Sequence, residues 1–160
     1  MAKLELSWRE RLRDSRDLPR VEKITGKLST RWGKGTFVIP APIEVDALMR
    51  KVPKGKLVTI NVLREVLAAR HGASFACPIT TGIFAGIAAR AADEDEQAGK
   101  VRITPYWRTL KQGGELNPKY PGGLAVLRSR LEAEGHCVEV RGKRWFVAEH
   151  EKRLVRPAAK

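Results

Sequence analysis

Apolar residues recur at two spacings along the chain, and the changes between them mark out the elements. GTFVIPAP is a short strand cut off by Pro40 and Pro42, after which Ile43, Val45, Leu48 and Val52 fall at roughly helical spacing. VPKGK is then a turn. Thr59 suits an N-cap for INVLREVLAAR, where Ile60, Leu63, Val66 and Leu67 repeat on one face until HGAS breaks the pattern. A second helix starts near Pro78, because a first helical turn tolerates a residue without an N–H. It runs through TTGIFAGIAARAA with Ile83, Phe84, Ile87 and Ala91 on one side. Two helices joined by a short turn predict a helix-turn-helix.

Beyond it, DEDEQAGK reads as an acidic, exposed helix end or loop, and ITPYWRTLK as an extended run. QGGELNPKYPGG is too rich in Gly and Pro for regular structure. GLAVLRSRLEAEG is helical, with Leu124, Leu127 and Leu131 at i, i+3 and i+7 and Gly135 as the stop. CVEV-RGKR-WFVAEH alternates as a β-hairpin. Residues 1 to 35 are polar and basic, with Trp8, Leu12, Leu18, Val21 and Ile24 as scattered apolar anchors, and end in the turn-like RWGKG. The expected organisation is therefore α/β: an N-terminal extension over 1–40, a helix-turn-helix domain over 41–136, and a hairpin and tail over 137–160.

Charge narrows the function. The 160 residues carry 31 Lys+Arg against 18 Asp+Glu, a net +13, which points to a polyanionic partner. Nucleic acid is favoured over membrane, since the basic residues are spread along the chain rather than gathered on one amphipathic helix. The bland alternative is charge that serves solubility alone. No apolar run is long enough to span a bilayer, and the start MAKLELSWRERLRDSRD is charged rather than signal-like. A soluble, cytoplasmic monomer is expected, associated with the nucleoid when bound to DNA. Cys77 and Cys137 are too few for a disulfide framework, and His71, His136 and His150 lack metal-ligand spacing. No metal or cofactor is expected, and each cysteine reads as a small buried hydrophobe.

One stretch stays ambiguous on physical grounds alone. Thr81, Gly82, Ala85, Gly86 and Ala89 would give the second helix a face with almost no side-chain bulk, although glycine costs about 1 kcal/mol per residue relative to alanine. Such a face permits close helix packing. It equally permits close approach to a minor groove about 6 Å wide.

Residues 43 to 136 resemble the C-terminal DNA-binding and active-site domain of the alkylguanine-DNA alkyltransferases and of their non-enzymatic relatives, the alkyltransferase-like proteins. VPKGKLVTINVLREVLA, CPITTGIFAGIAAR, TPYWR and above all YPGGLAVLRSRLEAEGH carry the resemblance. It implies a winged-helix-like domain whose helix-turn-helix enters the minor groove and which flips an alkylated guanine into a pocket. On that basis Thr59, Thr80, Thr81, Gly82, Ala85, Gly86 and Arg90 are the expected DNA contacts. Pro105, Tyr106, Trp107, Arg108, Tyr120, Gly122, Gly123 and Glu134 are the expected lesion pocket. Duplex DNA containing alkylated guanine is the implied ligand, and repair-pathway proteins are implied partners.

The same resemblance removes the chemistry. TPYWR stands where the family's enzymes have Pro-Cys-His-Arg, so Tyr106 takes the place of the nucleophile and Trp107 that of its base. A phenol with pKa near 10 beside an indole cannot copy a thiolate activated by an imidazole. The alkyltransferase-like proteins also lack the cysteine and bind alkylated DNA without repairing it, and an aromatic pair suits that use because a flipped base is held by stacking. Glu134 matches the acid that orients the family's histidine; its other role is a helix-end carboxylate holding Arg108 or Trp107. The family's base-displacing arginine falls at Gly82, and its tyrosine near the first helix at Ile60. The alternatives are a general helix-turn-helix module without lesion recognition and a suicide alkyltransferase using a displaced cysteine.

Overall fold

Ser7 begins the first helix. Its Oγ accepts from Glu10 N at 3.1 Å while Glu10 Oε2 accepts from Ser7 N at 3.0 Å, a capping box that starts α1 (Trp8–Arg13). Six residues cannot hold a helix in water unaided, and α1 is held by α5 (Pro78–Gln97). Leu12 is buried in the main core, and Glu94 of α5 accepts from Trp8 N at 2.9 Å and Arg9 N at 3.1 Å. Those N–H groups would otherwise lack helical partners. The acidic run expected as an exposed end or loop therefore continues α5 through Gln97, and Asp95 is buried beneath Arg9 and Lys100.

The computed structural model describes residues 5–158, a mixed α/β chain with six α-helices, small sheets and a C-terminal hairpin among them. β1 (Arg20–Lys23) pairs antiparallel with β2 (Thr36–Ile39) in the register Val21 to Val38, and β2 pairs parallel with β4 (Phe75–Ala76). The sheet thus joins residues on both sides of position 40. Between β1 and β2 lies α2 (Lys27–Trp32), whose Trp32 meets Phe37 and Phe75 edge-on at 5.4 and 5.0 Å.

α3 (Pro42–Arg50) has Pro at its first position and buries Val45, Leu48 and Met49, while Ile43, expected on the apolar face, is exposed. α4 (Ile60–His71) is capped by Thr59, whose side chain accepts from Val62 N, and it stops at Gly72 in the left-handed region at φ 65°. Its buried face is Leu63, Val66 and Leu67, as the spacing predicts.

α5 departs from the expectation in part. Ala91 is buried as expected and Phe84 and Ile87 pack half-buried against the core, but Thr81, Ala85, Ala88, Ala89 and Ala92 are buried too, and Ile83, expected on the inner side, faces outward with Ile79. Small side chains let α1 and α3 approach α5 closely, and this packing outweighs burial of the larger isoleucines.

β3 (Val58–Thr59) pairs parallel with β5 (Thr109–Leu110). Directly before β5, Tyr106–Arg108 forms one 3-10 turn rather than the extended run expected, closed by Arg108 N donating to Pro105 O at 3.1 Å. α6 (Gly123–Ala133) buries Leu127 and Leu131. β6 (Val138–Arg141) and β7 (Arg144–Val147) form the hairpin in the register Val138 to Val147, with Val147 in the main core, Val138 and Trp145 packed against it, and Phe146 covered by Arg141 and Arg144. No helix among the described residues is long and apolar enough to cross a membrane.

Candidate nucleic-acid interface

Two neighbouring places gather the expected residues, and they differ in kind. The first is a closed polar node below β5. Arg108 grips Glu134 in a fork, Nε to Oε1 at 2.8 Å and an Nη2 hydrogen bond to Oε2 at 2.7 Å, and its Nη1 donates to Val52 O at 2.7 Å. Trp107 Nε1 donates to the same carboxylate at 3.0 Å. Glu134 therefore does both things foreseen for it, holding Arg108 and Trp107 together. Burial pulls its pKa upward, but the hydrogen bonds from Arg108 and Trp107 and the Arg108 charge outweigh burial and leave it below the usual range.

Tyr106, which the resemblance sets at the nucleophile position, is 1% exposed. It meets Trp107 edge-on at 5.3 Å and Tyr120 at 6.0 Å. Burial raises its phenol pKa against the lowering effect of nearby Arg130. The Arg130 guanidinium lies 4.5 Å from the Trp107 ring centroid and is tied outward to Glu96 at 2.5 Å. The aromatic pair expected to offer a stacking face is thus already engaged: Tyr106 is enclosed, and Trp107 lies against a cation. Pro105 is buried beside them.

The second place is an open groove of about 690 Å³ on the outer side of α5. Gly82 and Gly86 form part of its lining, Trp8 and Arg11 of α1 stand on one side, and Asn117, Lys119 and Tyr120 stand on the other. Trp8 is held between elements: Arg11 lies 4.6 Å and Arg90 5.0 Å from its ring centroid. The loop side is shaped by two turns. Asn117 Oδ1 accepts from Lys119 N at 3.0 Å, and Gly122 and Gly123 take φ of 83° and 71° where α6 begins. A Cβ on Gly122 would lie 2.6 Å from Val126 Cβ, so this position requires glycine twice over. Tyr120 is buried at the groove wall, and burial raises its pKa strongly.

The expected DNA contacts divide accordingly. Gly82 is exposed in the groove, and Arg90 reaches it half-buried, with an Nη2 hydrogen bond to Lys119 O at 3.4 Å. Gly86 lines it too but is buried rather than outer, with Arg90 Nη1 3.0 Å from where a Cβ would sit. Thr81 and Ala85 are fully buried, which corrects their placement on the outer face: Thr81 Oγ1 donates to Cys77 O at 2.6 Å, and Ala85 packs in the core. Thr59 is buried as the cap of α4. Thr80 Oγ1 is buried with no hydrogen-bond partner among the described residues. Cys77 is buried, as expected, at the start of α5, whereas Cys137 is exposed at the entry to the hairpin because its neighbour Val138, rather than Cys137, packs on the core.

Sequence reasoning missed Trp8, Arg11 and Lys119. The Ser-x-x-Glu spacing of Ser7 and Glu10 signalled the helix that carries the first two, but no local pattern told that it docks on α5. Among the described residues no group of three His, Cys, Asp or Glu side chains is placed to hold a metal ion.

Comparison with protein-family models, with curated proteins and with solved structures gives no match.

Proposed function

We propose that this protein binds duplex DNA without transferring an alkyl group, as the alkyltransferase-like proteins do that residues 43–136 resemble. In this reading α4 and α5 act as a helix-turn-helix, with the outer side of α5 toward the minor groove. The groove residues Arg11, Arg90 and Lys119 meet phosphates, and the space over Gly82 and Gly86 beside Tyr120 receives an extruded alkylated guanine. The observation that carries the reading is the groove itself: on a chain of net charge +13 it brings three cations to one open face, with the Trp8 ring between Arg11 and Arg90 and Tyr120 buried in the wall. The enclosed Tyr106 and the Trp107–Glu134–Arg108 node support the non-enzymatic half, since no thiol stands at that position.

A second reading, a general duplex-binding module without lesion recognition, is favoured by the occupied aromatic pair: Arg130 already covers Trp107. Titration of O6-methylguanine and unmodified duplexes separates the two. Lesion sensing predicts a preference of roughly 5- to 150-fold, the ratio given by about 1–3 kcal/mol of base stacking. Equal affinities leave only the general module. Mass spectrometry of the protein after incubation with methylated duplex tests the enzymatic alternative, in which the exposed Cys137 would gain a methyl group; the proposal expects an unchanged mass.

A further inference from the structure

α5 presents two isoleucines to solvent where its neighbours offer cations. Ile79 and Ile83 are 60% and 54% exposed, one helical turn apart, and both line the groove. Gly82 beside Ile83 has open space where a Cβ would project, so the isoleucine side chains stand above a slim stretch of helix. Two isoleucines exposed one turn apart forgo the stabilisation that burial would give.

The surrounding charge argues for the occupant. Arg11, Arg90 and Lys119 line the same groove, and none of the three has a carboxylate partner among the described residues, whereas Arg9, Arg108, Arg128, Arg130 and Arg144 are all paired. The adjoining hollow on the far side of Arg11 has mixed charge, with Glu5 and Asp14 in its lining. A polyanion is thus favoured on the Lys119 side and opposed by carboxylates on the other. Apolar side chains flanked by cations that no carboxylate neutralises among the described residues suit the minor groove of a duplex, where isoleucine can enter a base step and part the stack while cations hold the phosphates.

We propose that Ile79 and Ile83 form an apolar wedge that unstacks one base step and bends the bound duplex. This rests on the duplex-binding reading above and adds to it a mode of deformation. It also gives a use to the exposed side of α5 at a point where Gly82 supplies no side chain.

The test uses the full chain and an unmodified duplex carrying 2-aminopurine at one step and a fluorophore pair at its ends. Binding is followed separately by anisotropy. The wild-type protein is expected to raise 2-aminopurine fluorescence and to bend the duplex by about 20–90°. I79A/I83A is expected to keep the thermal midpoint and the salt dependence of binding while losing both the fluorescence rise and the bend. Salt-dependent binding by the wild type with straight, stacked DNA overturns the wedge and leaves the duplex-binding reading standing. Absence of duplex binding overturns both. Concentration-dependent self-association in sedimentation that I79A/I83A abolishes, with DNA deformation unaffected by the variant, overturns the wedge in favour of a protein contact.

Discussion

The node around Glu134 and the groove on α5 stand close together, yet in one the cation is neutralised by a carboxylate and in the other the cations meet, among the described residues, only an aromatic ring and backbone carbonyls. In the node, Arg108 and Glu134 are 14% and 8% exposed at their side chains, and the carboxylate takes hydrogen bonds from both Arg108 and Trp107. In the groove, three cations have no carboxylate partner among the described residues and two isoleucines face solvent. The TPYWR stretch thus lies in a structural knot. The open groove lies beside it, lined by residues of CPITTGIFAGIAAR together with Trp8 and Arg11 of the N-terminal helix. Position in a motif and availability for a ligand are separate properties, and burial distinguishes them.

The sharpest way to break the contrast is to empty the node. Glu134→Ala leaves the Arg108 guanidinium buried and unpaired, and a loss of about 3–5 kcal/mol is expected, read as a large drop in the denaturation midpoint. Next, Trp107→Phe keeps an aromatic ring but removes the indole N–H and its hydrogen bond to a charged group, for an expected loss of about 1.5–3 kcal/mol. If Trp107 instead serves a ligand, stability holds and DNA affinity falls.

Groove variants should do the reverse. Arg11→Ala is expected to leave the melting temperature nearly unchanged and to lower the magnitude of the salt slope of duplex binding by about one. An unchanged slope removes α1 from the interface. The smallest effect is at Gly86, where alanine gains up to about 1 kcal/mol of helix propensity and needs only the flexible end of Arg90 to give way. Melting should be unchanged or slightly raised, and a marked loss would show that Arg90 is held more firmly by Trp8 than its geometry indicates.

Acid should weaken the fold in two stages. Burial pushes the pKa of His136 down, and the charges of Arg153 and Arg108 add to this against the opposing pull of Glu134. The unfolded chain therefore takes up that proton first, so the contribution is present above the unfolded value of about 6.5 and is lost as pH falls through the folded one. Glu134 is likewise lowered, so its contribution is present above about 4.3 and lost below it. Denaturation midpoints measured from pH 7.5 to 3 should fall gently and then steeply; a rise on acidification would contradict both assignments.

Much of the backbone was legible in the sequence because α4, α6 and the hairpin each turn residues to the core at their own period: Leu63, Val66 and Leu67, then Leu127 and Leu131, then Trp145 and Val147. α5 was legible as a helix but only partly in its orientation: Ala91, Phe84 and Ile87 turn to the core as expected. Periodicity ranks faces by apolar bulk, whereas close packing against α1 and α3 selects small side chains, so Ala85 and Ala89 went inward as well and Ile83 outward. The contact of Glu134 with Arg108 and Trp107 could be foreseen from the helix end. The groove could not, because Arg11 and Lys119 meet only through tertiary docking, and the anchor for α1 is Glu94 in an acidic run that reads as solvent-exposed. Long-range contacts of this kind leave no local periodic trace.

The central claim is that the cations of the groove hold a polyanionic duplex. The dependence of log Kobs on log salt concentration, measured by anisotropy with an unmodified duplex, tests it most directly. Three phosphate contacts at about 0.9 each predict a linear slope of about −2.7 or steeper. A flat response, or no binding at low salt, would contradict the account.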